Sequence, residues 1–171
     1  PTSAPAPVAL PSLEQDFIRP RPTSIERHLI ISDPHLGGGE DRHAWRCALR
    51  AIPVVKPTRI ILLGDVVDLE SMSSHAKLGQ AVYLEDELRK ANADLDELKA
   101  LAGGIPVTVL EGNHEERIER WCVTKSLRSR QDSAFLRRLV GPERVLSLDE
   151  RKIPYIRKSK TYEGCKIQGT W

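Results

Sequence analysis

From residue 27 onward, apolar and polar positions fall into two kinds of stretch. Short aliphatic runs alternate with longer segments whose apolar residues lie three and four apart. The run "HLIIS" (28–32) is bounded by turn-forming residues and predicts a buried parallel strand. Trp45, Ala48, Leu49 and Ile52 follow at helical spacing, and Pro53 is expected to end that helix. "RIILLG" (59–64) predicts a second buried strand. In the longest periodic segment Leu84, Leu88, Ala91, Leu95, Leu98 and Ala102 mark one face of an amphipathic helix, stopped by Gly103 and Gly104. The acidic residues of 85–97 read as the solvated side of that helix.

"PVTVLEG" (106–112) predicts the third strand. "NHEERIERWCVTKS" (113–126) opens another helix with Ile118, Trp121 and Cys122 inward, and "SAFLRRLV" (133–140) is a further short helix. "IPYIR" (153–157) and "CKIQG" (165–169) read as late strands. Strands alternating with helices predict an α/β layered domain.

Composition adds bounds. A chain of 171 residues suits one domain and buries roughly 70% of its unfolded surface. Residues 1–24 hold six of the twelve prolines among Ala, Ser and Thr, a composition expected to form a flexible tail ahead of a domain at 25–171. No apolar run approaches the ~20 residues of a membrane span, so no membrane partner is expected and the cytoplasm is the expected compartment. Three widely separated cysteines, Cys47, Cys122 and Cys165, fit a reducing interior better than a disulfide framework. A net charge of +2 does not by itself announce a nucleic-acid partner. The chain starts at Pro1 and stops at "CKIQGTW", a strand pattern just beginning, so a fragment lacking its C-terminal part is expected.

The strand ends carry the chemistry. The first run leads into "DPH" followed by three glycines, the second into "GDVVD", the third into "GNHEE". Parallel strands leave their C-terminal ends on one edge of a sheet, where ligands bind. Asp33 and His35, Asp65 and Asp68, Asn113 and His114 should therefore converge. Pro34 favours an extended Asp33, which would let Asp33 and His35 face one point. Carboxylates, imidazoles and an amide oxygen make a mixed O/N donor set that suits Mn, Fe or Zn better than Ca. Asp and Asn also serve as helix N-caps, but caps require no histidines at matching strand ends.

In their order and placement these residues resemble the calcineurin-like metallophosphoesterases, whose D-x-H, GD-x-x-D and GNH-[ED] motifs stand here as "DPH", "GDVVD" and "GNHE" over about residues 27–120. The resemblance implies a four-layer α/β sandwich, two divalent metal ions with Mn foremost, and hydrolysis of phosphate mono- or diesters. It implies that Asp33 and His35 ligate the first metal, Asp65 bridges both and Asn113 binds the second. His114 would be the catalytic proton donor, oriented by Asp68, and Asn113 and His114 would also contact substrate. The later histidine and G-H-x-H pair of the family have no counterpart, since no histidine follows His114. Leu69 stands where the family's protein Ser/Thr phosphatases carry Arg, which argues against a protein phosphatase.

Other polar residues read more plainly. His28 is a strand-start residue, His43 an exposed helical one and His75 part of a polar loop. Arg117, Arg120, Lys125, Arg128, Arg130, Arg137 and Arg138 make 117–138 basic, a solvated helix face before it is a nucleic-acid track. Two alternatives to a small-ester hydrolase stay open: a nuclease acting on DNA or RNA, and a non-catalytic binding module on the same scaffold. On the fragment reading, these 171 residues alone are a poor catalyst, because the second metal would have only Asp65 and Asn113. Titration with Mn²⁺ should show at most one site of appreciable affinity and negligible turnover. Two tight sites, with turnover lost in Asp65→Asn, would overturn the fragment reading.

Overall fold

The computed structural model describes residues 25–38, 42–73, 83–125 and 130–158. Along them run β1 (His28–Ser32), α1 (His43–Val55), β2 (Arg59–Leu63), α2 (Leu84–Ala102), β3 (Val107–Leu110), α3 (Glu115–Lys125), α4 (Arg130–Val140), α5 (Pro142–Val145) and β4 (Tyr155–Ile156), with a 3-10 turn at Glu70–Met72. The expected tail at 1–24, the strand at 165–169, His75, Arg128 and Cys165 lie outside the described residues.

The strands form one parallel sheet in the order β1-β2-β3-β4. Parallel neighbours need a crossover, and helices supply each one. The register sets Ile31, Leu62, Val109 and Tyr155 in one row across all four strands. That row and the row of Leu29, Ile60 and Val107 pack with Trp45, Leu49 and Ile52 of α1, Ala91, Leu95, Leu98 and Ala102 of α2, and Ile118 and Cys122 of α3 in a single core. This is an α/β fold of one sheet and one helix layer among the described residues. The intervening rows point away from the helices. Ile30 is 51% exposed and Leu63 46%, so β1 is parallel as expected but buried on one face only. The continuous apolar run belongs to strands covered on both sides, and here the far face is buried at the middle strands, at Ile61 and Thr108, but not at Ile30.

α2 spans the segment its periodicity predicted, and Gly103 ends it with a positive φ. Three other expectations need correction. Pro53 does not end α1, which continues to Val55 before Lys56 closes it in the left-handed conformation, donating its N–H to Ile52 O at 2.9 Å. A proline in the last turn removes only one backbone bond, to Leu49 O, so the helix tolerates it. Trp121 is 41% exposed, because it lies at the edge of the stripe made by Ile118 and Cys122. The acidic run of α2 is not all surface: Glu87 and Asp94 are buried on its inner face.

Each buried acid has a partner, as burial in a low-dielectric interior requires. Asp94 pairs with Arg42. Glu87 accepts hydrogen bonds from Glu70 N at 2.7 Å, Ser71 N at 3.0 Å and Ser71 Oγ at 2.5 Å, pinning the 3-10 turn to the start of α2. Gly37, at φ 80°, lies so close to the Glu87 carbonyl that a Cβ there would collide with it. The first turn of α2 thereby locates the loops after both β1 and β2. Glu87→Ala should lower stability in urea unfolding by about 2 kcal/mol, since it orphans donors of the turn. Glu85→Ala, on the exposed side, should stay within about 0.5 kcal/mol. Equal effects of the two would show that the buried carboxylate does not hold the turn.

Candidate metal centre

The three strands that carry the motifs end side by side, and their pairing continues past the sheet. His35 N donates to Asp65 O at 3.1 Å, Leu36 N to Val66 O at 2.7 Å, and Asp68 N to Leu36 O at 3.1 Å. Leu36 and Val67 form a lone parallel bridge. Leu36, Val66, Val67 and Leu69 are buried in the core, so the loops are anchored by apolar side chains between the polar ones. Asp33 is not extended as Pro34 led us to expect. Its φ is 47°, and His35 and Asp65 share the left-handed region at 46°. Asp tolerates that region better than most residues, and the cross-loop hydrogen bonds hold the turn there.

The turn still delivers the expected convergence. Asp33, His35 and Asp65 each offer a ligand atom, all within 4.8 Å of one another, from an exposed, a half-buried and a buried residue. Asn113 lies against the same Asp65 carboxylate. With its amide oxygen turned toward Asp65, acceptors face acceptors, an arrangement that a cation between them resolves; turned over, the amide nitrogen sits 2.9 Å from Oδ2 and 3.3 Å from Oδ1. His35 Nδ1 is 3.2 Å from Asp68 Oδ1, which leaves the second ring nitrogen for an ion. A ligating imidazole whose other nitrogen meets a carboxylate is the usual arrangement at metal centres. The donor set of Asp33, His35 and Asp65, with Asn113 beside it, thus fits divalent cations. A pocket of about 290 Å³ opens beside His35 and Asp68, with Arg42 and Lys90 in its wall.

His114 completes the constellation. Its ring meets that of His35 edge-on at 4.5 Å between centroids. Its backbone N–H donates to Asp65 Oδ1 at 2.9 Å. Its Nδ1 lies 2.5 Å from the backbone carbonyl of Asp68 and 3.6 Å from that residue's carboxylate. Asp68 therefore reaches both imidazoles, holding His35 by its side chain and His114 most closely by its main chain. Arg117 closes the other side. Its guanidinium donates to Asp68 O at 2.8 Å and Leu69 O at 3.1 Å, and Nη2 is 2.9 Å from His114 Nε2. An acceptor at Nδ1 and a donor at Nε2 define a neutral ring protonated on Nδ1. Arg117 is thus no solvated helix residue, and Arg137 of the same basic stretch pairs with Glu119 at 3.1 Å.

Glu115 is the residue that motif reading passed over. It stands in "GNHE", just after the candidate ligand Asn113 and His114, with no donor role of its own. Fully buried in the first turn of α3, its carboxylate accepts from Asp65 N at 3.1 Å, Val66 N at 2.8 Å, Val67 N at 3.1 Å and Gly112 N at 2.7 Å. One side chain thereby ties the loop after β2 to the loop after β3. Burial pushes the Glu115 carboxyl above its ordinary range, against the opposing pull of the backbone N–H groups. Gly112 is required beside it, because a Cβ there would fall on the backbone nitrogen and carboxylate of Asp65. The signal available in sequence was an acid at the start of a helix right after a strand-end Gly-Asn-His. Glu115→Ala should destabilise the fold by about 3 kcal/mol, from buried N–H groups left without a charged acceptor. Glu115→Gln should lose less, and both should weaken Mn²⁺ binding measured by calorimetry. Unchanged Mn²⁺ affinity in folded Glu115→Gln would show that the tie does not position Asp65.

The model of one family matches residues 27–158, described as calcineurin-like phosphoesterase. No curated protein matches the chain, and no solved structure does. Members of that family use divalent metals to hydrolyse phosphate esters, and the donor groups at the strand ends are what such chemistry needs. No helix among the described residues is long and apolar enough to cross a membrane. Since the family match takes in every motif-bearing strand end and most of the sequence, this chain belongs to the calcineurin-like phosphoesterases.

Proposed function

We propose that this chain carries a two-metal centre for hydrolysis of phosphate mono- or diesters, with Mn²⁺ as its ion and Fe or Zn as further fits to mixed O/N donors. The observation that supports it most is the approach of Asp33, His35 and Asp65 within 4.8 Å, with Asn113 against the same Asp65. Asp33, His35 and Asp65 would hold one ion, and Asp65 and Asn113 the other. Two divalent ions so held would lower the pKa of a water and offset charge on the phosphoryl oxygens.

The chain's own residues do the rest. Asp65 is buried and its backbone is tied to Glu115, so its carboxylate keeps its direction. With Nδ1–H held by the Asp68 carbonyl, His114 Nε2 is the atom that would first take up a proton, giving the imidazolium, and then pass it to the leaving oxygen. That atom now faces Arg117. A phosphate anion is a stronger partner for a guanidinium than a neutral imidazole, so substrate would draw Arg117 away and free Nε2, with Asn113 and His114 both meeting substrate.

An aryl phosphate mono- and diester, assayed on the full-length protein with Mn²⁺ and with chelator, test the reading. Asp65→Asn should remove both metal content and turnover. His114→Ala should keep metal while losing about 10²–10⁴-fold in turnover, most for poor leaving groups. Turnover that ignores chelator, or metal loss in His114→Ala beside normal metal in Asp65→Asn, would overturn it.

A further inference from the structure

Arg117 also lines a groove of about 810 Å³. Its walls are Met72 from the 3-10 turn, Leu88 from α2, Ile118 and Trp121 from α3 and Val145 from α5. That volume falls in the range of pockets that enclose small organic ligands, which are mostly apolar with a few placed polar groups. Its charge is one-sided. Among the described lining residues Arg117 and Arg120 are cationic and none is acidic. Arg117 belongs to both places, lining the groove and standing 2.9 Å from His114 Nε2. The half-exposed Trp121 is accounted for in the same way, as an aromatic wall facing the groove rather than a core residue.

An apolar trough with cations where it meets a phosphate-processing site is complementary to one kind of molecule, an anionic head joined to an apolar body. We propose that this groove receives the apolar organic group of the phosphoester, so that the substrate class is aryl or alkyl phosphates rather than small polar ones. The inference rests on the phosphoesterase reading above. Arg117 is then the junction residue: the phosphate engages it at one end of the groove while Trp121, Met72 and Leu88 enclose the organic group.

Phosphonates test this without being consumed. Methyl, decyl and 1-naphthyl phosphonate share the head and differ in the apolar part, and each is measured as a competitive inhibitor of Mn²⁺-dependent p-nitrophenyl phosphate turnover by the full-length protein. Direct binding to the Mn²⁺-loaded full-length protein is followed in parallel by calorimetry. Affinity should rise about 10- to 100-fold from methyl to the better of the two larger groups, as burial of a ring or chain predicts. Which of naphthyl and decyl gains more identifies the substrate as aryl or alkyl. Trp121→Ser should remove most of that gain, with circular dichroism confirming the fold, and Glu85→Gln, at an exposed position that does not line the groove, should not. A flat series with chelator-sensitive turnover would overturn the groove assignment and leave the phosphoesterase reading standing. Graded calorimetric binding without metal-dependent turnover of any ester would support the groove and overturn that reading instead.

Discussion

Two loops that leave neighbouring strands carry backbone N–H groups with no strand to pair with, and they sit where water is largely excluded. Glu115 answers both needs with one carboxylate. It gathers N–H groups from Asp65, Val66 and Val67 on one loop and from Gly112 on the other. The candidate ligands at and beside these positions, Asp65 and Asn113, inherit their places from that tie. Since an unpaired buried N–H costs about 1–3 kcal/mol, the loops have no cheaper arrangement nearby. A rigid acidic frame can then be presented at the sheet edge without being designed into the strands themselves.

The frame is strained and crowded with acceptors. Asp33, His35 and Asp65 occupy left-handed backbone conformations, and their side chains bring two carboxylates and an imidazole within 4.8 Å. Conformations of this kind persist only where the surroundings over-determine them, and they cluster at functional sites. Here the surroundings are named: the backbone bonds between the first two loops, the Gly37 contact with α2, and the Glu115 tie. Divalent cations would relieve the electrostatic crowding, which couples the fold's stability to the chemistry of the family.

The helix layer reaches into the centre as well as covering the sheet. Glu87 of α2 holds the turn at Glu70–Met72, and Arg117 of α3 caps both His114 and the carbonyls of Asp68 and Leu69. The same two helices wall the apolar groove, so one pair of elements shapes both the polar centre and the space beside it.

Local pattern determined much of this. The stripe of Leu84 to Ala102 defined α2 to its ends, because helical periodicity over that many residues has no competing reading. The three aliphatic runs located the motif strands, and the order of "DPH", "GDVVD" and "GNHE" placed the candidate ligands on one edge, because parallel strands leave their C-terminal ends together. What pattern could not reach was anything set by partners distant in sequence. Glu87 and Asp94 read as solvated acids until Ser71 and Arg42, far from them in the chain, supplied the hydrogen bonds that let them be buried. The left-handed turn at Asp33 overrode the local preference before Pro34 because pairing with the Asp65 loop imposed it. Trp121 looked like core by spacing, yet α2, α4 and α5 leave a groove beside it, and only their packing decides which apolar residues are covered.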